Sequence, residues 1–232
     1  LFFLLVARLV ALVALFLIGL KKCTSHQFTD YSQNRPKNNT FALIMTIEQT
    51  KQFIQGQWVS ITPEIRPSIA RNADGSMKPF YLTRAFTYRA GDKFELDVVN
   101  SADAYGKVPL VRIGIKGSLV WQGEHPIADG AQKVKFTADE AYEVTPLIQG
   151  FADAMNQLAG KGFNQWEVNG TQSIMGKAFA PFGLSEGQVF AEYDLIYVFH
   201  DLLFWGARNV DGRGFDTEAN RPTNLQIPLV RK

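Results

Sequence analysis

"PFYLTRAFTYR", residues 79–89, decides the fold class, because its side chains alternate with a period of two. Phe80, Leu82, Arg84, Phe86 and Tyr88 share one face, and Tyr81, Thr83, Ala85, Thr87 and Arg89 share the other. That pattern predicts a half-buried strand. Arg84 lies on its apolar face, an expensive place for a charge that lacks a partner. Downstream, "AGD" at 90–92 turns the chain and "KFELDVVN" sets Phe94, Leu96 and Val98 against Glu95, Asp97 and Val99, so the two runs form a hairpin.

The same period continues outward. "PLVRIGIKGSLVWQG" places Val111, Ile113 and Ile115 on one face, with Gly117 permitting a bulge before Leu119 and Trp121. "AQKVKFTA", Trp166 to Val168, "QVFAEYDLIYVF" and "DLLFWG" supply further short strands. Many short strands joined by glycine-rich turns predict a mainly β sandwich or barrel. "TPLIQGFADAMNQLAG" breaks the pattern: Thr145 as N-cap, Pro146 in the first turn, an apolar stripe of Leu147, Phe151, Met155 and Leu158, and Gly160 as a stop predict one helix packed on the sheet. "TIEQTKQFIQ" predicts a shorter one ending at Gly56.

Upstream of the period-two region the chain changes character. Residues 1–20, "LFFLLVARLVALVALFLIGL", are apolar apart from Arg8 and have about the length of a membrane helix. Residues 21–44 are polar and aperiodic and read as a linker, and residues 45–232 form the domain. Two readings of the first segment stand side by side. In one it is a membrane anchor, with Lys21 and Lys22 following it and placing the domain on the cytoplasmic side. In the other, Met45 opens the working protein, residues 1–44 are translated upstream sequence, and the domain is cytoplasmic.

Charge narrows the partners. Five of the 24 basic and one of the 22 acidic residues fall in 1–44, which leaves the domain slightly acidic and without a basic run. Nucleic-acid binding is not expected of it. The single cysteine, Cys23, precedes the domain, so no disulfide is available there. His125 and His200 are 75 residues apart, no C-x-x-C or H-x-H spacing occurs, and no metal or cofactor is implied. His200 and Asp201 are neighbours, which a continuing strand would point to opposite faces. "NVDGRGFDTE" at 209–218 carries Arg213 where a calcium loop needs an oxygen ligand, and reads as a glycine-rich turn. No nucleophile elbow, phosphate loop or dinucleotide fingerprint is present.

Aromatic residues are the remaining signal: 23 of the chain's 29 lie beyond residue 44. They suit either a packed core or an apolar cavity. The stretch "FIQGQWVSITPEIRP", residues 53–67, adds an exposed-looking Trp58 and a cluster of Pro63, Glu64, Arg66 and Pro67. Prolines remove ladder donors, so this segment suits a barrel edge or mouth, where Glu64 can pair with Arg84.

"GQWVS", then "EIRP", then "FYLTRAFTY", resembles the opening of the adenomatosis polyposis coli down-regulated family, through Gly56, Trp58, Ser60, Glu64, Arg66, Pro67, Phe80, Leu82, Thr83, Arg84 and Phe86. "LLFWG" and "RPTNLQIPL", with Arg221, Pro222, Thr223, Gln226, Pro228 and Leu229, resemble its closing segments. The resemblance spans residues 56–229 as a single copy; the animal proteins have two copies and are rich in cysteine, whereas here Pro63 replaces a cysteine and residues 68–79 read as an insertion. It implies an antiparallel, lipocalin-like barrel or half-open barrel with an apolar pocket for a fatty acid or similar ligand. The residues expected to meet that ligand are Arg66, Arg84, Phe86, Phe94, Leu96, Val111 and Ile113, with Arg66 facing its carboxylate. Trp58, Glu64, Arg221 and Pro222 are expected to be structural. The first reading is therefore non-enzymatic binding of a lipid or other long apolar molecule. Its alternatives are an enzyme using Glu64 as acid or base with Arg66 or Arg84 as oxyanion stabiliser, and a protein-interaction module.

Overall fold

Strand β3 (Met77–Arg89), which contains the alternating stretch, is the seam on which the architecture closes. Its second half pairs with β1 (Gly56–Ser60), from Gly56 opposite Tyr88 to Val59 opposite Ala85. Its first half pairs with β2 (Glu64–Arg71), from Glu64 opposite Leu82 to Pro67 opposite Pro79. The computed structural model describes residues 45–71, 73–209 and 213–232. The remaining strands in these residues are β4 (Lys93–Ser101), β5 (Pro109–Glu124), β6 (Gln132–Pro146), β7 (Gln172–Ser173), β8 (Ala191–Phe199), β9 (Leu202–Trp205) and β10 (Leu229–Arg231).

Eight of them form a closed antiparallel barrel in the order β1, β10, β9, β8, β6, β5, β4, β3, and the β1–β3 pairing seals the ring. The fold is mainly β and lipocalin-like in outline, with helices at its periphery. β2 lies off the ring as the outer partner of β3, and there Pro67 faces Pro79 so that neither contributes an N–H. Such a pair is tolerable only at an edge, which is where the prolines of residues 63–67 place it.

Period-two alternation fills the interior row by row. Trp58, Phe86, Leu96, Ile115 and Tyr142 are successive partners across β1, β3, β4, β5 and β6. Arg84, Val98, Ile113 and Val144 form the next row. Trp58 is fully buried rather than exposed, with its indole N–H on the Ile54 carbonyl at 2.6 Å, because β1 turns this side chain into the barrel. Phe86 lies 4.0 Å from Trp205, Trp205 lies 4.1 Å from Phe136, and Phe94 meets Phe136 edge-on at 5.0 Å, ring centre to ring centre. At Gly117 the β5–β6 register shifts, and a Cβ there would fall 1.8 Å from the Thr137 carbonyl oxygen. The bulge expected at this glycine thus has a steric cause.

Helix α1 (Ile47–Phe53) begins in a capping box between Thr46 and Gln49. It lies at the end of the barrel marked by the β3–β4 turn, where Lys51 reaches Asp92 at 3.5 Å. Helix α2 (Gln149–Leu158) starts later than the sequence predicts. Thr145 and Pro146 end strand β6 instead, opposite Arg112 and Val111, because the buried alternation of Tyr142, Val144 and Pro146 continues the strand and outweighs the cap signal. Ala152 and Met155 are the buried face of α2, while Leu158 of the expected stripe is exposed. The strand expected at Trp166 to Val168 is absent: Asn156 takes up the backbone N–H and C=O of Trp166 through its side chain, at 2.7 and 3.0 Å, in place of a ladder. The segments read as anchor and linker, residues 1–44, lie outside the described residues, as does part of the turn at 209–218. No helix among the described residues is long and apolar enough to cross a membrane.

Candidate functional site

Glu64, the first residue of β2, organises one end of the barrel. Period two puts Glu64 and Arg66 on one face of β2, and the pairing with β3 brings Arg84 beside them. Glu64 Oε1 accepts from Arg84 Nε at 2.9 Å, and Glu64 Oε2 accepts from Arg66 Nη2 at 2.8 Å. Arg84 Nη2 is 2.7 Å from Oε1 as an ion contact but makes no aligned hydrogen bond. Ser60 Oγ joins the group by accepting the backbone N–H of Arg84 at 2.8 Å and donating to Oε1 at 3.4 Å.

Arg66 is held mainly by groups of the protein itself. Its Nη2 also reaches Gln226 Oε1 at 3.0 Å, and its Nη1 donates to the Ile65 carbonyl at 3.3 Å. Burial pulls this guanidinium below its usual value, against the opposing pull of Glu64. Glu64 is likewise engaged on both oxygens, which suits a structural clamp better than an acid or base in turnover. Arg84 continues inward, its guanidinium 6.0 Å from the Phe86 ring and 5.9 Å from the Trp205 ring.

Below Arg84 the barrel holds a partly open cavity of about 30 Å³, lined by Phe94 and Leu96 of β4, Ile115 of β5, Phe136 and Ala138 of β6, Phe190 just before β8, Glu192 of β8, and Trp205 of β9. This is room for about two water molecules. Glu192 pairs in register with Phe136, is half-buried and lines the cavity. Its carboxyl has no hydrogen-bond or ion-pair partner among the described residues. Burial raises its pKa, opposed by the charges of Arg208 and Arg84.

Asp194 follows two residues later on the same face of β8. Its Oδ1 accepts the N–H groups of Leu195 at 2.7 Å and Gly206 at 2.9 Å. Burial first, and Glu192 second, push its pKa up to about 8. Two further polar atoms of the aromatic cluster, Tyr88 Oη and Trp205 Nε1, are buried beside each other without an aligned hydrogen bond. Burial holds the Tyr88 hydroxyl well above its ordinary range.

Of the residues expected to meet a ligand, Phe94 and Leu96 line the cavity and Arg84 lies above it. Ile113 is half-buried in the row of Arg84, whereas Phe86 and Val111 are packed solid, 0% and 1% exposed. Arg221 and Pro222 lie elsewhere: Arg221 donates to the backbone carbonyls of Val134 and Asp194 at 2.8 and 2.6 Å and stacks on Tyr193, pinning the chain's last loop to β6 and β8. Pro222 packs so closely on Gly206 that a Cβ there would meet it at 2.4 Å. Sequence reasoning missed Ile115, Phe136, Ala138, Phe190, Glu192 and Trp205 as lining residues. The signal was present in "QVFAEYDLIYVF", where Glu192 and Asp194 share the parity of Phe190 and Ile196 and so stand as two acids on an apolar face.

Among the described residues no three His, Cys, Asp or Glu side chains gather as a metal site would require. No family model and no curated protein matches the chain.

Proposed function

We propose that this protein is a non-enzymatic binding barrel for a lipid or another apolar small molecule, related to the adenomatosis polyposis coli down-regulated domain. The observation that supports this most is the cavity inside a closed barrel, walled by Phe94, Leu96, Ile115, Phe136, Phe190 and Trp205. From Leu96 an apolar, half-buried strip continues over Val98, Ile113, Leu82 and Phe80 on the same faces of β4, β5 and β3. Ligand pockets commonly measure about 300–1,000 Å³, so a cavity of about 30 Å³ takes one end of a molecule and leaves the rest to the strip. Each methylene moved out of water contributes about 0.8 kcal/mol.

The test is a titration of the delipidated full chain with saturated straight-chain acids and alcohols of increasing length. Tryptophan emission should change through Trp205, and affinity should rise with length and then level off. The Trp205→Phe variant should lose most of that signal. If no member of either series binds below its micelle point or solubility limit, the container reading is wrong.

A further inference from the structure

The outer wall of the barrel changes character around its circumference. On β4 and β5 the outward positions carry Glu95, Asp97, Arg112 and Lys116, and Glu95 pairs with Arg89 at 2.8 Å and with Lys116 at 3.6 Å, as a solvated sheet face requires. On β8, β9, β10 and β1 the inward residues are Ile196, Leu203, Trp205, Leu229 and Trp58, all 4% exposed or less. Their outward neighbours carry no charge: Tyr197 and Phe199 on β8, Leu202 and Phe204 on β9, Val230 on β10 and Val59 on β1.

Register aligns these side chains. Phe199 pairs with Leu202, Leu202 with Val230 and Val230 with Val59, so one apolar row crosses four strands. Tyr197 and Phe204 pair in the next row with their rings 5.8 Å apart, and Tyr197 lies 6.2 Å from Phe199. Earlier on β8 the same face is occupied from within the chain: Arg221 of the last loop stacks on Tyr193, and Leu195 is 0% exposed. From Tyr197 onward the side chains keep accessible surface, and Phe199 is 41% exposed.

Backbone and charge narrow what can cover this wall. Each of its four strands is paired on both sides, so it offers no strand edge to an extended peptide. The apolar row carries no cation for an anionic headgroup and no charge for an oppositely charged segment. Its shape, however, is divided: β8 and β9 contribute the bulky Tyr197, Phe199, Leu202 and Phe204, whereas β10 and β1 contribute Val230 and Val59. A twofold axis running along the strands between β9 and β10 lays the bulky half of one copy on the shallow half of the other, Phe199 over Val59 and Leu202 over Val230, twice.

We propose that this wall is the contact surface of a homodimer packed about that twofold axis. The inference goes beyond the container reading, since it leaves the inward side chains and the cavity as they are. Four strands about 4.8 Å apart and about five residues of about 3.4 Å give a face of about 300 Å², small among specific interfaces, so the dimer is a reversible one.

The experiment is sedimentation velocity of the full chain over roughly 1–300 µM, the range in which weak association is read. The apparent mass should rise from 26.0 kDa towards twice that value. Phe199→Lys should weaken association about tenfold or more with the thermal transition unchanged, whereas Arg112→Ala on the charged wall should leave it as in the parent. Val59→Phe sets two bulky groups against each other and should also weaken it, and adding Phe199→Val exchanges the two halves and should restore it. A parent that stays monomeric throughout overturns the proposal, as does association that Phe199→Lys leaves intact. An exchange variant that does not recover overturns the twofold packing. A monomer that instead sediments with phosphatidylcholine vesicles, and no longer does so in Phe199→Lys, gives the wall to a lipid surface and overturns a second copy as its occupant.

Discussion

Glu64, on the strand outside the ring, and Glu192, on β8 of the ring, are two carboxylates both influenced by Arg84, yet the fold treats them in opposite ways. Glu64 has an arginine on each oxygen and a serine besides. Glu192 has an apolar cavity in front of it and no partner among the described residues. The difference separates a group that the fold consumes from one that it leaves available. A buried charge with both oxygens engaged holds strands together, here β1, β2 and β3. A half-buried acid without partners beside an apolar cavity is a cost to the fold, and such costs gather at sites that meet something else.

The largest expected effect is at the clamp. Glu64→Gln leaves Arg84 and Arg66, only 10% and 19% exposed, without their counter-charge, and should lower unfolding free energy by about 3–5 kcal/mol. Replacing Arg84 with Met in that background should add little, since the partner is already gone. Urea denaturation of the two single variants and the double variant measures this, and additive losses would show that the clamp is no unit.

Next comes the pH dependence of the inner acids. The folded-state pKa of Asp194 is raised from 3.8 to about 8, so in the interval between them the folded state holds a proton that the unfolded state releases. Stability therefore falls as pH rises through that interval, by about 1.4 kcal/mol per unit, or about 2–3 kcal/mol from about pH 5 to about pH 7. Glu192, also raised, contributes in the same direction. Asp194→Asn keeps an oxygen for Leu195 and Gly206 and should flatten the curve, becoming more stable than the parent near neutrality. A parent protein whose stability rises over this range would contradict the picture of neutral inner acids.

The smallest effect calibrates the first. Arg89 and Glu95 form an ion pair at 2.8 Å, with side chains 60% and 34% exposed. Arg89→Ala should cost at most about 0.5 kcal/mol in the same denaturation assay. A loss comparable to that at Glu64 would mean that burial does not set the difference between the two pairs.

Much of this barrel is legible in the alternation of residues 79–89 and its neighbours, because period two reports directly on which side chains face inward. Closure is not legible there. It depends on β3 being long enough to serve β2 with one half and β1 with the other, a fact about pairing that no local pattern carries. Local signals also lose to tertiary context: Thr145 and Pro146 look like a helix start but complete a buried strand, and Trp166 looks like strand but hands its backbone to Asn156. For the site, the β3 and β4 residues are legible from their face, while Glu192 is not, because it is the pairing of β8 with β6 that brings it opposite Phe136.

The central claim, that a ligand occupies the interior beside Glu192, is tested most directly by filling that space. Ala138 lines the cavity and is itself 2% exposed, so Ala138→Leu places three more carbon atoms where the ligand's end would go. Calorimetric titration of this variant with the straight-chain acids and alcohols, alongside the parent, should show binding abolished while the thermal transition stays cooperative. Unchanged affinity in a folded Ala138→Leu protein would put the ligand outside the barrel and contradict the account.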